Sequence, residues 1–212
     1  MPAKISSKRE IEIKLRVTDL DDILRRLRKL GAPSRGRVHE LNTLFDTDDS
    51  GFRHSGRLLR LRQQTAAPAN NVRGGPASAI LTTKAPPLPG TRSSRGTKKR
   101  LYKEVQENEE RINDPRRLAQ ALKRLDFRPG FRYEKYRTSF RLNSLHIDLD
   151  ETPIGTFLEL EGTHAAINRA ASALGFTPRD YIRSTYWTLY AADCRRHRRK
   201  PQNMLFTAQK SR

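Results

Sequence analysis

Residues 9–17 read REIEIKLRV, and their alternation decides the fold. Glu10, Glu12, Lys14 and Arg16 fall on one parity and Ile11, Ile13, Leu15 and Val17 on the other. That is the period of a β-strand, apolar on one face and ionic on the other. An outer strand with its polar face in water satisfies the pattern as well as any other half-buried strand. The order of the charges, two carboxylates and then two cations, is harder to explain on a wet surface, where an ion pair contributes only about 0–1 kcal/mol.

The rest of the chain repeats the theme. Leu20, Ile23, Leu24, Leu27 and Leu30 recur at helical spacing, with Thr18 or Asp19 to cap the start and Gly31 the end. RVHELNTLFDT (37–47), GRLLRLRQQ (56–64) and SAILTTKA (78–85) read as strands, separated by Pro/Gly-rich loops at 65–77 and 86–99, the second expected to be very mobile. RLYKEVQENEERI (100–112) is extended, and NDPRRLAQALKRLDF (113–127) is a helix with Asn113 or Asp114 as cap and Pro115 in its first turn. Three further strands follow at 131–142, 145–151 and 155–162, then a helix at 164–176 and a last helix over 178–196. The run from Arg195 to Arg212 has no apolar period and is expected to be a disordered basic tail.

The 212 residues carry a formal charge of +20, which favours anionic partners: nucleic acid, an acidic membrane or phosphorylated small molecules. The single cysteine, Cys194, excludes an intrachain disulfide and a cysteine-cluster metal site. The N-terminus lacks a signal-peptide core and no apolar run is long enough to span a bilayer, so a soluble, cytoplasmic protein is expected, with no membrane partner.

The charged parity selects between an open sheet and a closed barrel. Arg60 and Arg62, Lys84, Lys103 with Glu107 and Glu109, Lys135 and Arg137, Asp148 and Asp150, and Glu159 and Glu161 all alternate with apolar or aromatic neighbours. If the strands close, this face becomes a lumen containing both signs, suited to a polyanion together with metal ions. Carboxylates without thiolate or histidine nearby are hard oxygen ligands for Mg²⁺ or Mn²⁺, and Arg and Lys suit phosphate oxygens. No P-loop is present, and the five histidines are scattered without a nucleophilic triad. Asp46 reads as a turn residue, and Tyr133, Tyr136, Phe140, Tyr186 and Trp187 read as packing aromatics.

The E-x-E-x-K of Glu10, Glu12 and Lys14 resembles the signature of the CYTH superfamily, the triphosphate tunnel metalloenzymes that include class IV adenylate cyclases and thiamine triphosphatases. The order of the later motifs is similar: LFDT at 44–47, LRLR at 59–62, LTTK at 81–84, E-x-E at 107–109, K-x-R at 135–137, LDETPIGTFLELEG at 149–162 and DYIRSTYWTLY at 180–190. The resemblance implies an α+β fold: an eight-stranded antiparallel β-barrel, or triphosphate tunnel, with helices packed outside. It spans residues 8–190 and leaves 191–212 as the tail. By the same resemblance Glu10, Glu12, Glu159 and Glu161 are metal ligands, with Asp150 a further one. Lys14, Arg60, Arg62, Lys84, Lys135 and Arg137 would bind phosphate, and Glu10, Glu12 and Lys14 are the catalytic candidates. Val105 stands where many relatives carry an arginine, so Lys103 is a candidate substitute. The implied activity is metal-dependent hydrolysis of an inorganic or organic triphosphate. The alternatives are cyclisation of ATP to cyclic AMP and diphosphate, or a non-enzymatic module binding polyphosphate or nucleic acid. The tail is expected to assist such binding only at long range.

Overall fold

The computed structural model describes residues 8–67, 78–87 and 101–207. The expected loops at 65–77 and 86–99 therefore lie outside the described residues except at their ends, as do the last five residues of the tail. Eight strands form one closed barrel: β1 (Lys8–Val17), β2 (Ser34–Asp46), β3 (Leu58–Ala66), β4 (Ser78–Ala85), β5 (Lys103–Ile112), β6 (Arg128–Leu142), β7 (Leu145–Thr152) and β8 (Gly155–Glu161). The order around the barrel is β1-β5-β4-β3-β2-β6-β7-β8, with every neighbour antiparallel. Closure leaves no edge strand and gives the charged parity an interior to face.

The apolar parity faces outward and is covered by helices. Ile13 and Leu15 of β1, Ile147 and Leu149 of β7 and Leu158 and Leu160 of β8 pack under α1 (Leu20–Lys29) and α4 (His164–Ala173). Asp19 caps α1 by accepting from the Asp22 amide at 2.9 Å, and Gly31, at φ +71°, supplies the left-handed turn that ends it. A second cluster seats α3 (Pro115–Arg124) through Leu118 and Leu122 on Phe45, Leu59 and Leu61. Asp46 organises the turn into the short α2 (Gly51–His54), which the sequence does not announce, by accepting from the amides of Thr47, Phe52 and Arg53. Among the described residues no helix is long and apolar enough to cross a membrane.

The C-terminal region departs from expectation twice. The last helix, α5, covers only Tyr186–Arg196; before it lie a 3-10 turn at Pro178–Asp180 and an extended Ile182 that exchanges backbone hydrogen bonds with Lys14 at 2.8 and 2.9 Å. The reason is an unpaired flank: β5 pairs with β1 only as far as Glu12, so Lys14 needs another partner on that side. The tail is likewise docked rather than disordered through Thr207. Pairing of β7 with β6 begins at Tyr136, and Met204 fills the flank before it, donating to the Arg132 carbonyl and accepting from the Glu134 amide, each at 2.9 Å. Met204 is 1% exposed, packed with Phe131, Tyr133, Phe157 and Tyr186, and the Phe206 ring lies against Tyr136. A tail boundary at residue 191 would cut through α5.

Removing a buried methionine side chain typically costs about 2–5 kcal/mol. Met204→Ala should therefore shift the urea unfolding midpoint by a corresponding amount, whereas a tail free of the barrel would leave the midpoint unchanged.

Candidate active site

Because side chains on one face of a strand recur every second residue, β1 delivers Glu10, Glu12 and Lys14 to the lumen together. Antiparallel register then sets Glu12 opposite Glu161, Lys14 opposite Glu159, and Asp148 opposite Glu159. The resulting cavity holds about 180 Å³, an order of magnitude more than one water needs. Lys14, Arg60, Arg62, Lys84, Lys103, Lys135 and Arg137 line it, seven cations, against Glu10, Glu12, Glu107, Glu109, Asp148, Glu159 and Glu161, seven carboxylates. The lining holds equal numbers of basic (Lys and Arg) and acidic side chains in a chain of net charge +20, so the positive excess lies elsewhere.

Each carboxylate has a cation. Lys84 reaches Glu10 at 2.5 Å and Glu107 at 3.1 Å; Lys103 reaches Glu12 at 2.5 Å; Lys14 lies 3.2 Å from both Glu12 and Glu159. Arg137 spans Asp148 at 2.6 Å, Asp150 at 2.7 Å and Glu159 at 2.6 Å, while Arg62 pairs with Glu109 and Glu40. Lys103, Glu107 and Glu109 of β5 thus pair with residues of β1, β4 and β3 respectively. Burial disfavours the charge on Glu12 and Glu159, but Lys14 on both, with Lys103 on Glu12 and Lys135 and Arg137 on Glu159, outweighs it and holds both carboxyls below the usual range. Glu10 goes the other way: burial, then the Glu12 charge, push its carboxyl up to about 7 even though Lys84 opposes them.

Most of the expected site residues meet in this lumen; Asp150 stands behind it. Fully buried, it accepts from Lys135 at 2.8 Å, from Arg137 through two nitrogens at 2.7 Å and from the Tyr186 hydroxyl at 2.7 Å. It does not line the cavity, and its contacts orient the cations that do. Arg16 lies past the lumen's end, over the Phe157 ring and exposed. Sequence reasoning missed Glu40, a fully buried carboxylate 3.5 Å from Lys135 and 3.6 Å from Arg62. It also missed His146, which lines the cavity 3.0 Å from Asp148 and whose pKa the hydrogen bond to that carboxylate raises. Tyr186 was read as packing only, yet it also lines the cavity, its ring 5.4 Å from the Lys14 ammonium and 5.2 Å from that of Lys135.

Among the described residues no three His, Cys, Asp or Glu side chains already converge on a metal position. The donor chemistry nevertheless fits a hard divalent cation: oxygen donors on adjoining strands, with Glu12 directly opposite Glu161. The cations fit an anion equally well: seven Lys and Arg side chains line the cavity, and among the described residues the buried Nε atoms of Arg60 and Arg62 have no hydrogen-bond partner.

The CYTH domain family profile matches residues 8–174. The chain belongs to the CYTH domain family. A Methanocaldococcus jannaschii protein named "Putative adenylate cyclase MJ0240" is 24% identical over 166 residues, 78% of this chain and 83% of its own. The PH1819 protein of Pyrococcus horikoshii superposes with a TM-score of 0.68 at 20% identity, covering 87% of this chain and 99% of that one. HpAC1 from Hippeastrum, described as a "putative adenylyl cyclase" that reveals a dominant triphosphatase activity, superposes at 0.55 with 20% identity, over 87% and 96% of the two chains. At these identities the solved structures establish the CYTH fold.

The raised Glu10 pKa sets a sign for stability. A carboxyl whose folded pKa exceeds its unfolded value costs nothing at pH 4, and stability falls as pH rises from about 4.5 to about 7. Glu10→Gln should thus stabilise the metal-free protein at pH 8 by roughly 3 kcal/mol and leave it unchanged at pH 4, read by chemical unfolding at each pH. Equal effects at both pH values would show that Glu10 ionises without cost.

Proposed function

We propose that this CYTH protein is a metal-dependent triphosphatase. The observation that carries the reading is the closed lumen whose cations are paired with carboxylates. Seven paired cations cannot accept a polyanion without either displacing their carboxylates or gaining positive charge, and a site that takes substrate and metal ions together meets both conditions.

Mg²⁺ or Mn²⁺ held by Glu10, Glu12, Glu159 and Glu161 would offset phosphate charge and make the attacking water more acidic. The chain's own residues do the rest. Arg60 and Arg62, with Lys14, Lys84, Lys135 and Arg137, surround the chain of phosphates. Asp150 and Tyr186 fix Lys135 and Arg137 from behind, so little reorganisation accompanies the charge that develops on the leaving oxygen. Water oxygen forms a bond to the terminal phosphorus, the bond to the bridging oxygen breaks, and inorganic phosphate leaves while the bridging oxygen keeps the electron pair. The proton of the water passes to a lumen carboxylate.

The name of the M. jannaschii relative favours cyclisation and the activity described for HpAC1 favours hydrolysis. Hydrolysis is preferred because it needs only the groups for phosphate, metal and water that line the lumen. Phosphate release from tripolyphosphate should require Mg²⁺ or Mn²⁺ and stop with chelator. Lys14→Ala, Arg62→Ala and Glu159→Gln should each lower kcat/KM about 10²–10³-fold in folded protein, the scale of losing one charge-stabilising group. Wild-type turnover in all three would refute the assignment. Chromatography of ATP reactions separates the chemistries: ADP with phosphate is expected, and cyclic AMP with diphosphate would overturn hydrolysis.

A further inference from the structure

Outside the lumen, two helices of the same length treat their charges differently. α1 and α3 have 10 residues each, and each lays an apolar stripe on the barrel. α1 carries Asp21 and Asp22 in its first turn, where the helix dipole favours acids, and Asp22 pairs with both Arg25 and Arg26. α3 has no acid in its first turn and places Arg116 and Arg117 there, against the dipole. Lys123 and Arg124 follow two turns later on the same face, so four exposed cations form two pairs about 10.5 Å apart along the axis. Exposed Gln120 stands between the pairs. Among the described residues none of the four has an ion-pair partner. The acids at the two ends are engaged: Asp114 accepts from the Arg117 amide at 2.9 Å, and Asp126 lies 3.7 Å from Arg128. Leu118 and Leu122 already seat the helix, so this unrelieved repulsion serves no packing purpose, and an external polyanion would relieve it.

We propose that the outer face of α3 binds the phosphate backbone of duplex DNA, independently of the chemistry in the lumen. The separation of the two pairs is close to the width of the B-form major groove, about 12 Å. Each pair can therefore reach phosphates along one lip of the groove while Gln120 faces the gap between them. Three of the four cations are arginines, whose fork matches two phosphate oxygens at once.

Two other polyanionic surfaces fit less well. Single strands are held by stacking their bases on aromatic side chains, whereas Phe127, the aromatic that follows α3, packs inward and meets Phe52 edge-on at 5.2 Å. Anionic bilayers are bound by helices that insert an apolar face, and that face of α3 is already buried on the barrel.

Anisotropy of a short fluorescein-labelled DNA duplex without terminal phosphates tests the assignment, because such a duplex offers the lumen no phosphate chain end. The logarithm of its affinity should fall against the logarithm of salt concentration with a slope of about −3.6, the value for four neutralised phosphates. Arg117→Gln combined with Arg124→Gln should halve that slope to about −1.8. Glutamine keeps the helix propensity, so the melting temperature and any turnover of tripolyphosphate should stay at wild-type values. Arg195→Gln combined with Arg196→Gln removes the same charge from the end of α5 and should leave the slope unchanged. Equal loss of slope in the two double variants would show that net charge alone attracts the duplex, and would overturn the proposal. So would failure of the duplex to bind, or tighter binding of a labelled single strand or of phosphatidylserine vesicles through the same four residues. Phosphate release is read separately, so failure of the triphosphatase reading would leave these outcomes untouched.

Discussion

Pairing of buried charges inside a closed wall is the constraint on which this structure depends. Lys135 is 1% exposed and Glu40 and Asp150 are fully buried, so none of them can draw on bulk water for its solvation. Breaking one such pair costs about 3–5 kcal/mol because it leaves its partner charged and dry. The strands must therefore hold a register that sets Arg137 against Asp150 and Lys14 against Glu159. A slip of one residue would turn these charges onto the helices and place Ile13, Leu15 and Leu158 in the lumen. The outer core and the inner network enforce the same register from opposite faces of the barrel.

That mutual enforcement explains the C-terminal region. An antiparallel barrel whose strands differ in length leaves backbone groups without partners near its ends, here beside Lys14 on β1 and beside Tyr133 on β6. Ile182 covers the first and Met204 the second. Between these two fasteners runs α5, and its first residue, Tyr186, donates to Asp150 and turns its ring face to the ammonium groups of Lys14 and Lys135. The segments that complete the backbone pairing thereby set the orientation of the deepest cations. Met204 joins Tyr186 in one cluster, so even the residues after α5 are coupled to the lumen.

How far the sequence discloses this depends on how each residue is recruited. Glu10, Glu12, Lys14, Arg60, Arg62, Lys84, Lys135, Arg137, Glu159 and Glu161 were legible because period-two alternation with apolar neighbours fixes their face locally. Glu40 was not, since the inward parity of β2 runs Glu40, Asn42, Leu44 and mixes polar with apolar. Asp150 shows the right parity, but only cross-strand register reveals that Lys135 and Arg137 enclose it. Arg16 alternates correctly and still misses the lumen, because alternation says nothing about where the barrel ends. Met204 is a lone apolar residue held by backbone hydrogen bonds, a contact that leaves no periodic trace.

The balanced lining gives the net charge of the chain a distinct physical place. Since the lumen contributes equal numbers of both signs, the +20 is carried outside it, on surfaces such as the exposed Arg195, Arg196, Arg198, Arg199 and Lys200 beyond α5. Those charges act through solvent over about 8 Å at physiological ionic strength, enough to enrich anions near the barrel but too far screened to hold a phosphate in place. The lumen does the reverse. Its cations are desolvated and oriented, yet already matched, so they exert little net pull at a distance and become available only as their carboxylates find other positive partners. On the proposed reading attraction and retention would fall to different residues, and a polyanion drawn to the surface would enter the tunnel in company with the cations that release its lysines and arginines.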